Sequence, residues 1–164
     1  MIIIVKNKDT LLFDDFKLKC SIGKRFCKEK VEGDLTTPKG IFSLGDIYYR
    51  SDRVQKPYSK LKSISIKKNM GWCDDPNSKF YNRLIKIKKN LKISYEKLYR
   101  KDHKYDFFIL IKYNYKNTIK FKGSAIFLHL TKNYSPTKGC VALCKKDFLI
   151  LAKLINKKTK IKIN

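Results

Sequence analysis

Apolar residues in this chain recur at a spacing of two in one short run after another, and at helical spacing only over residues 145–156. A period of two puts alternate side chains on one face of a strand, so the pattern predicts a mostly β protein. Residues 2–5 open as a strand. Residues 16–22 follow, with Phe16, Leu18, Cys20 and Ile22 on one face. Residues 61–66 alternate again, and 124–131 form the most apolar late run. Residues 105–113 and 118–121 read as a hairpin across 114–117, and 159–163 as a returning final strand.

Turn chemistry separates these runs. Gly33, Asp34, Thr36, Thr37, Pro38 and Gly40 crowd into eight positions and lead into an apolar segment at 41–44. Residues 71–81 read as a loop punctuated at Asp75 and Pro76. Ser94 is placed to cap a short helix through Arg100, and Phe148, Leu149, Leu151, Ala152, Leu154 and Ile155 repeat as one face of a longer helix. No repeat or linker divides the chain. The expectation is one mostly β domain over residues 1–164, with one or two helices packed against it.

At 164 residues the chain is long enough to bury a core without staples. No apolar run approaches the ~20 residues of a membrane span, and the apolar start at 2–5 is too short for the ~7–15-residue core of a secretory signal. The net charge of +25 invites a nucleic-acid reading, but only five of 39 basic residues are arginine, the side chain that forks to base edges and phosphates. The lysines run the length of the chain beside abundant Ile, Asn, Tyr and Phe, as A/T-rich coding would produce. No specific nucleic-acid partner is expected. A polymer bearing carboxylates remains a suitable partner for such a charge.

Five cysteines form no regular framework. Cys20 and Cys27 could bridge if a hairpin made them face each other. Cys140 and Cys144 have no second tight Cys/His pair to complete a zinc site, so no metal is expected. Cys20, Cys27, Cys73 and Cys144 read as small, partly buried hydrophobes.

Cys140 reads differently. It follows Gly139, and His129 lies eleven positions earlier at the end of an apolar strand pattern. A thiol needs a base to become a nucleophile, and imidazole is suited to take its proton near neutrality. Gly139 permits close backbone approach, and amides at a strand-to-helix turn could hold a developing oxyanion. Lys138, Lys145 and the positive end of the next helix should favour thiolate. His129, on a neighbouring strand, could hydrogen-bond the sulfur.

The chain also resembles the L,D-transpeptidase catalytic domain family, YkuD or ErfK/YbiS/YcfS/YnhG. His129, then Thr137, Gly139 and Cys140, match that family's His, spacer and Ser/Thr-His-Gly-Cys cluster. The run from Thr37 and Pro38 through Gly40 to Phe42 matches its Thr-Pro-x-Gly-x-Phe segment. Further colinear segments, Tyr48 to Arg53, Gly71 to Pro76, Tyr81 to Arg83 and Gly123 to His129, are similar to a compact proteobacterial branch. Lys138 replaces the wider family's second histidine, Ala142 stands where a polar residue is usual, and the spacer is short.

The resemblance implies a β-sandwich and a cysteine-dependent acyltransferase of peptidoglycan stem peptides. Cys140 would form a thioester, His129 would serve as base, and the amides of Gly139 and Cys140 would hold the oxyanion. No cofactor is needed, and carbapenem-type β-lactams should acylate the thiol. Trimming of the same stem by hydrolysis is the alternative, and a non-catalytic module binding cell wall or polyanions is another. Expected substrate contacts are Tyr81 and Asn82, an exposed polar pair in the branch motif, with Thr137 and Lys138 beside the nucleophile. Trp72 either lines the groove or anchors packing, and Tyr134 either touches substrate or shapes the spacer turn. Arg50 either forks to a stem carboxylate or pairs with Asp46 or Asp52. Such a substrate implies the cell envelope or periplasm, with no export signal visible and a cytoplasmic pool left open as the alternative, and a monomer is expected.

Overall fold

The structure, a computed structural model, describes residues 1–164. Fourteen strands and one helix follow in order: β1 (Ile2–Lys6), β2 (Thr10–Phe13), β3 (Phe16–Ser21), β4 (Phe26–Cys27), β5 (Thr37–Pro38), β6 (Gly40–Tyr49), β7 (Ser63–Ser65), β8 (Met70–Cys73), β9 (Leu84–Lys86), β10 (Tyr95–Lys97), β11 (Phe107–Ile111), β12 (Phe127–Leu130), β13 (Val141–Leu143), α1 (Lys145–Leu154) and β14 (Lys160–Ile163). The protein is mostly β, as expected, with a single helix.

Nine strands form the main sheet in the order β11-β12-β13-β3-β2-β1-β14-β6-β7, and an added β11–β6 pairing closes it on itself. Closure follows from the length of β6. Its first half pairs with β14, through Phe42 with Ile161, and its second half with β11, through Ile47 with Ile109. A closed sheet leaves fewer unpaired edges, which suits a chain built from short strands.

Central strands are buried on both faces, so their sequences are continuously apolar rather than alternating. Along β11, Phe107, Ile109 and Ile111 face one core, while Phe108 and Leu110 face another. The first core also receives Phe148, Leu151 and Ala152 from α1, with Phe148 stacked 5.9 Å from Phe107. The second lies under a small sheet, β10-β8-β9, and contains Trp72, Tyr105, Phe127 and Cys140. Leu128 and Val141 turn toward the first core, Phe127 and Cys140 toward the second. No helix is long and apolar enough to cross a membrane.

Three expectations are corrected. Part of the 71–81 loop is strand β8, because β9 and β10 supply partners on both its sides from far along the chain. Residues 94–100 hold the short strand β10 (Tyr95–Lys97) instead of a capped helix, and the Ser94 hydroxyl donates to Asp74 Oδ1 at 2.6 Å. Residues 118–121 form no strand. Asn114 closes that loop by accepting the Ile119 amide and donating to the carbonyls of Ile119 and Gly123, which frees β11 to pair with β12 and β6. Cys20 and Cys27, whose pairing the sequence left open, are free thiols. Cys20 is buried in the first core, whereas Cys27 accepts the Thr36 hydroxyl at 2.7 Å.

Candidate active site

The parallel pair β12–β13 decides which side chains can meet. Leu128 lies opposite Val141 and His129 opposite Ala142. Alternation then puts His129, Ala142 and Cys140 on one face of the sheet, with the histidine one pleat beyond the cysteine. All three line a cleft of about 920 Å³, walled also by Lys30, Glu96 and Tyr105.

Cys140 enters its strand from a tight turn. Gly139 has φ +128°, and a Cβ there would stand 2.7 Å from the Thr36 carbonyl oxygen, so only glycine fits. The Thr137 hydroxyl spans the turn, accepting the Gly139 amide at 3.1 Å and donating to the Cys140 carbonyl at 2.6 Å. The amide of Gly139 is therefore occupied. Of the two donors expected for an oxyanion, the Cys140 N–H is the one left without a protein acceptor.

The sulfur is held by backbone. Phe127 N–H donates to Sγ at 3.3 Å, and Sγ–H donates to the Ala125 carbonyl at 3.2 Å. No hydrogen bond joins it to His129, because the strand register sets that residue across from Ala142. Burial, with the charge of Glu96, pushes the thiol up to about 12, while the Phe127 amide and the Lys30 charge oppose the shift. The expected help from a helix end is absent, since β13 separates Cys140 from α1. Lys145 lies instead over the Phe107 ring, 6.0 Å from its centroid.

His129 is 6% exposed. Its Nδ1 lies 2.8 Å from the Leu130 carbonyl oxygen, which can only accept, so Nδ1 carries the proton and Nε2 a lone pair. Burial holds the imidazole down at about 4, opposed by the Leu130 bond and helped by the positive charges of Lys104 and Arg100. The ring of Tyr105 meets it edge-on at 5.4 Å and 71°. Tyr105 passes its own phenolic proton toward Glu96 Oε1 at 2.6 Å, and Arg100 lies 3.7 Å from the same oxygen. At neutral pH both His129 and Cys140 are uncharged.

The expected substrate contacts divide. Thr137 and Lys138 line the cleft. Arg50, Trp72, Tyr81 and Asn82 do not, and each is buried. Arg50 forks onto Asp52 at 2.7 and 2.8 Å, donates to the Arg100 carbonyl and lies over the Tyr99 ring at 3.5 Å. Asn82 is not exposed as expected: its Oδ1 accepts the Trp72 indole at 2.9 Å and the Ala125 amide at 3.1 Å, and its Nδ2 donates to Tyr113 and Asn114 carbonyls. Tyr81 donates to Glu32. These four brace the wall behind the cleft. Tyr134 shapes the spacer turn with φ +54°, beneath the Lys19 ammonium at 4.8 Å.

Lys30, Glu96 and Tyr105 are site residues that sequence reasoning does not single out. Lys30 offers one local signal, its i,i+4 spacing to Asp34. Glu96 and Tyr105 reach the cleft only through the pairing of β10 with β8 and of β11 with β12, which leaves no local pattern. No three side chains of His, Cys, Asp or Glu converge as metal ligands. The model of the YkuD family, the L,D-transpeptidase catalytic domain, matches residues 1–163. No curated protein and no solved structure matches the chain.

Proposed function

The chain belongs to the L,D-transpeptidase catalytic domain family, and from that premise we propose that it cross-links peptidoglycan stem peptides through a thioester on Cys140. The observation that carries this reading is the placement of Cys140 and His129 on one face of adjoining strands, along one open cleft.

In the proposed reaction a donor stem enters with the carbonyl of its diamino-acid residue against Sγ. The thiol proton passes to His129 Nε2 as sulfur attacks the carbonyl carbon. The Cys140 N–H faces the oxygen that gains charge. The carbon–nitrogen bond then breaks, and His129 returns the proton to the departing amine. An amine of a second stem attacks the thioester, loses its proton to His129, and the thiol is restored as the cross-link forms. A neutral imidazole facing a neutral thiol suits this order, because the proton moves only when substrate is present.

The histidine must close one pleat of distance to reach the sulfur. Rotation of Cys140 about χ1 breaks the bond to Ala125 and turns Sγ into the cleft. Hydrolysis of the same thioester is the second reading, favoured by a cleft lined largely with polar and charged side chains that admit water. Such a substrate would place the protein's action in the cell envelope.

Incubation with purified disaccharide-tetrapeptide, followed by mass analysis, tests the reaction. A cross-linked dimer supports transfer, loss of a terminal residue alone supports hydrolysis, and no product with any wall peptide overturns both.

A further inference from the structure

Lys30 is among the most enclosed charged side chains of the protein, 3% exposed, and it lies at the base of the cleft. Its Nζ donates to Asp34 Oδ1 at 2.5 Å and to the Thr36 carbonyl at 2.9 Å, which leaves one N–H uncommitted. Two glycines make room for it. A Cβ on Gly123 would stand 2.8 Å from the lysine Cδ, and a Cβ on Gly139 would stand 3.4 Å from Nζ. The ammonium is thus packed against the residue that precedes Cys140.

Taking an ammonium out of water costs several kcal/mol unless it is paired, and the Asp34 carboxylate supplies the pair. That carboxylate is itself held by the amides of Val31 and Thr36, both at 2.9 Å. Lys30 adds two bonds to that turn, and its third N–H stays uncommitted on the side of Gly139. The groups around Cys140 are of mixed charge. From β10 comes Glu96, whose carboxyl burial pushes up, with Arg100 3.7 Å from its Oε1; from the edge of β11 the neutral phenol of Tyr105 and, beyond it, Lys104; from β12 the neutral His129; from the turn itself Lys138, and from beneath the turn Lys30. Arg100 is committed to Glu96 and the Tyr105 ring, whereas Lys30 is the buried cation packed against the residue that precedes Cys140.

We propose that Lys30 is a positioning residue that sets its positive charge under the Gly139–Cys140 turn, so that the sulfur becomes an anion more readily. The inference rests on Cys140 being the acyl-accepting nucleophile. Asp34 moderates the effect, because its carboxylate cancels part of the field that reaches the sulfur.

The test is the rate at which iodoacetamide modifies Cys140 in the full chain at fixed pH, with the site resolved by peptide mapping and Cys144 as internal reference. At about pH 8, Lys30→Met should slow Cys140 by about tenfold, equivalent to one unit of pKa, and leave Cys144 unchanged. Lys30→Arg, which keeps the charge, should react within about threefold of the parent. Asp34→Asn should act in the opposite direction and speed Cys140. A merely structural lysine predicts shifts of one sign in both Lys30→Met and Asp34→Asn, or none, and either result overturns the proposal. Should Lys30→Met fail to fold, Asp34→Asn decides alone, and no acceleration refutes it. If Cys140 takes no acyl group from disaccharide-tetrapeptide, the proposed function falls, while the alkylation rates still judge Lys30.

Discussion

His129 donates from Nδ1 to the carbonyl oxygen of Leu130, its chain neighbour, at 2.8 Å. One short bond to the backbone settles which ring nitrogen carries the proton, and it leaves Nε2 as a base. Replacing His129 by alanine should slow acylation of Cys140 by a carbapenem by about 10²–10⁴-fold. The fold should persist with a lower melting temperature, because the lost ring leaves a cavity and orphans the Leu130 carbonyl at a cost of about 1–3 kcal/mol. Intact-mass time courses and thermal melts check both halves, and normal acylation would remove His129 from the reaction.

Stability should fall on both sides of neutrality for reasons tied to two residues. The folded chain resists protonating His129 until about 4, against 6.5 for an ordinary imidazole, so the unfolded chain binds that proton first as pH drops. The benefit of a neutral His129 is therefore whole above pH 6.5 and is lost as pH falls through that window. Cys140 behaves in mirror image: its folded value of about 12 exceeds the ordinary 9.0, so its share is whole below pH 9.0 and lost as pH rises toward 12. Melts across pH should show the acid decline flattened in His129→Phe and the alkaline decline flattened in Cys140→Ala.

Asn82 is predicted to matter for folding more than for substrate. Alanine there orphans the Trp72 indole and the Ala125 amide, along with two carbonyls. At about 1–3 kcal/mol for a buried group left unpaired, the loss should reach about 2–5 kcal/mol. Urea melts measure it. A variant as stable as the parent, but with weakened substrate binding, would make Asn82 a substrate contact after all.

Gly139→Ala should damage the turn that presents the sulfur. The new methyl meets the Thr36 carbonyl at 2.7 Å, at a φ of +128° that side chains rarely adopt. A cost of about 1–3 kcal/mol and a Cys140 that acylates at least about tenfold more slowly are expected. Thermal melts and acylation rates read the two effects separately, and unchanged acylation would show that the turn tolerates displacement.

Strands with strong local patterns are legible in the amino-acid sequence. Ile2–Lys6, Phe16–Ser21, Phe127–Leu130 and Lys160–Ile163 fall where alternation or apolar runs put them, and the helix at Lys145–Leu154 follows its 3.6-residue period. Strands β8 and β10 escape that kind of reading because their stabilising partners lie twelve to twenty-six residues away, while their own residues carry turn and cap signals. Long-range pairing outweighs local preference there.

The fold class, the one helix, and the presence of a thiol and an imidazole of the right types all follow from residue order, because period, volume and chemical identity are local properties. Three-dimensional packing settles the remainder. Register places His129 opposite Ala142 instead of Cys140, desolvation keeps both groups neutral, and chain segments distant from the nucleophile bring Lys30, Glu96 and Tyr105 around it. Distance, dielectric surroundings and field depend on what the rest of the chain puts beside a residue, and no stretch of sequence holds that information alone.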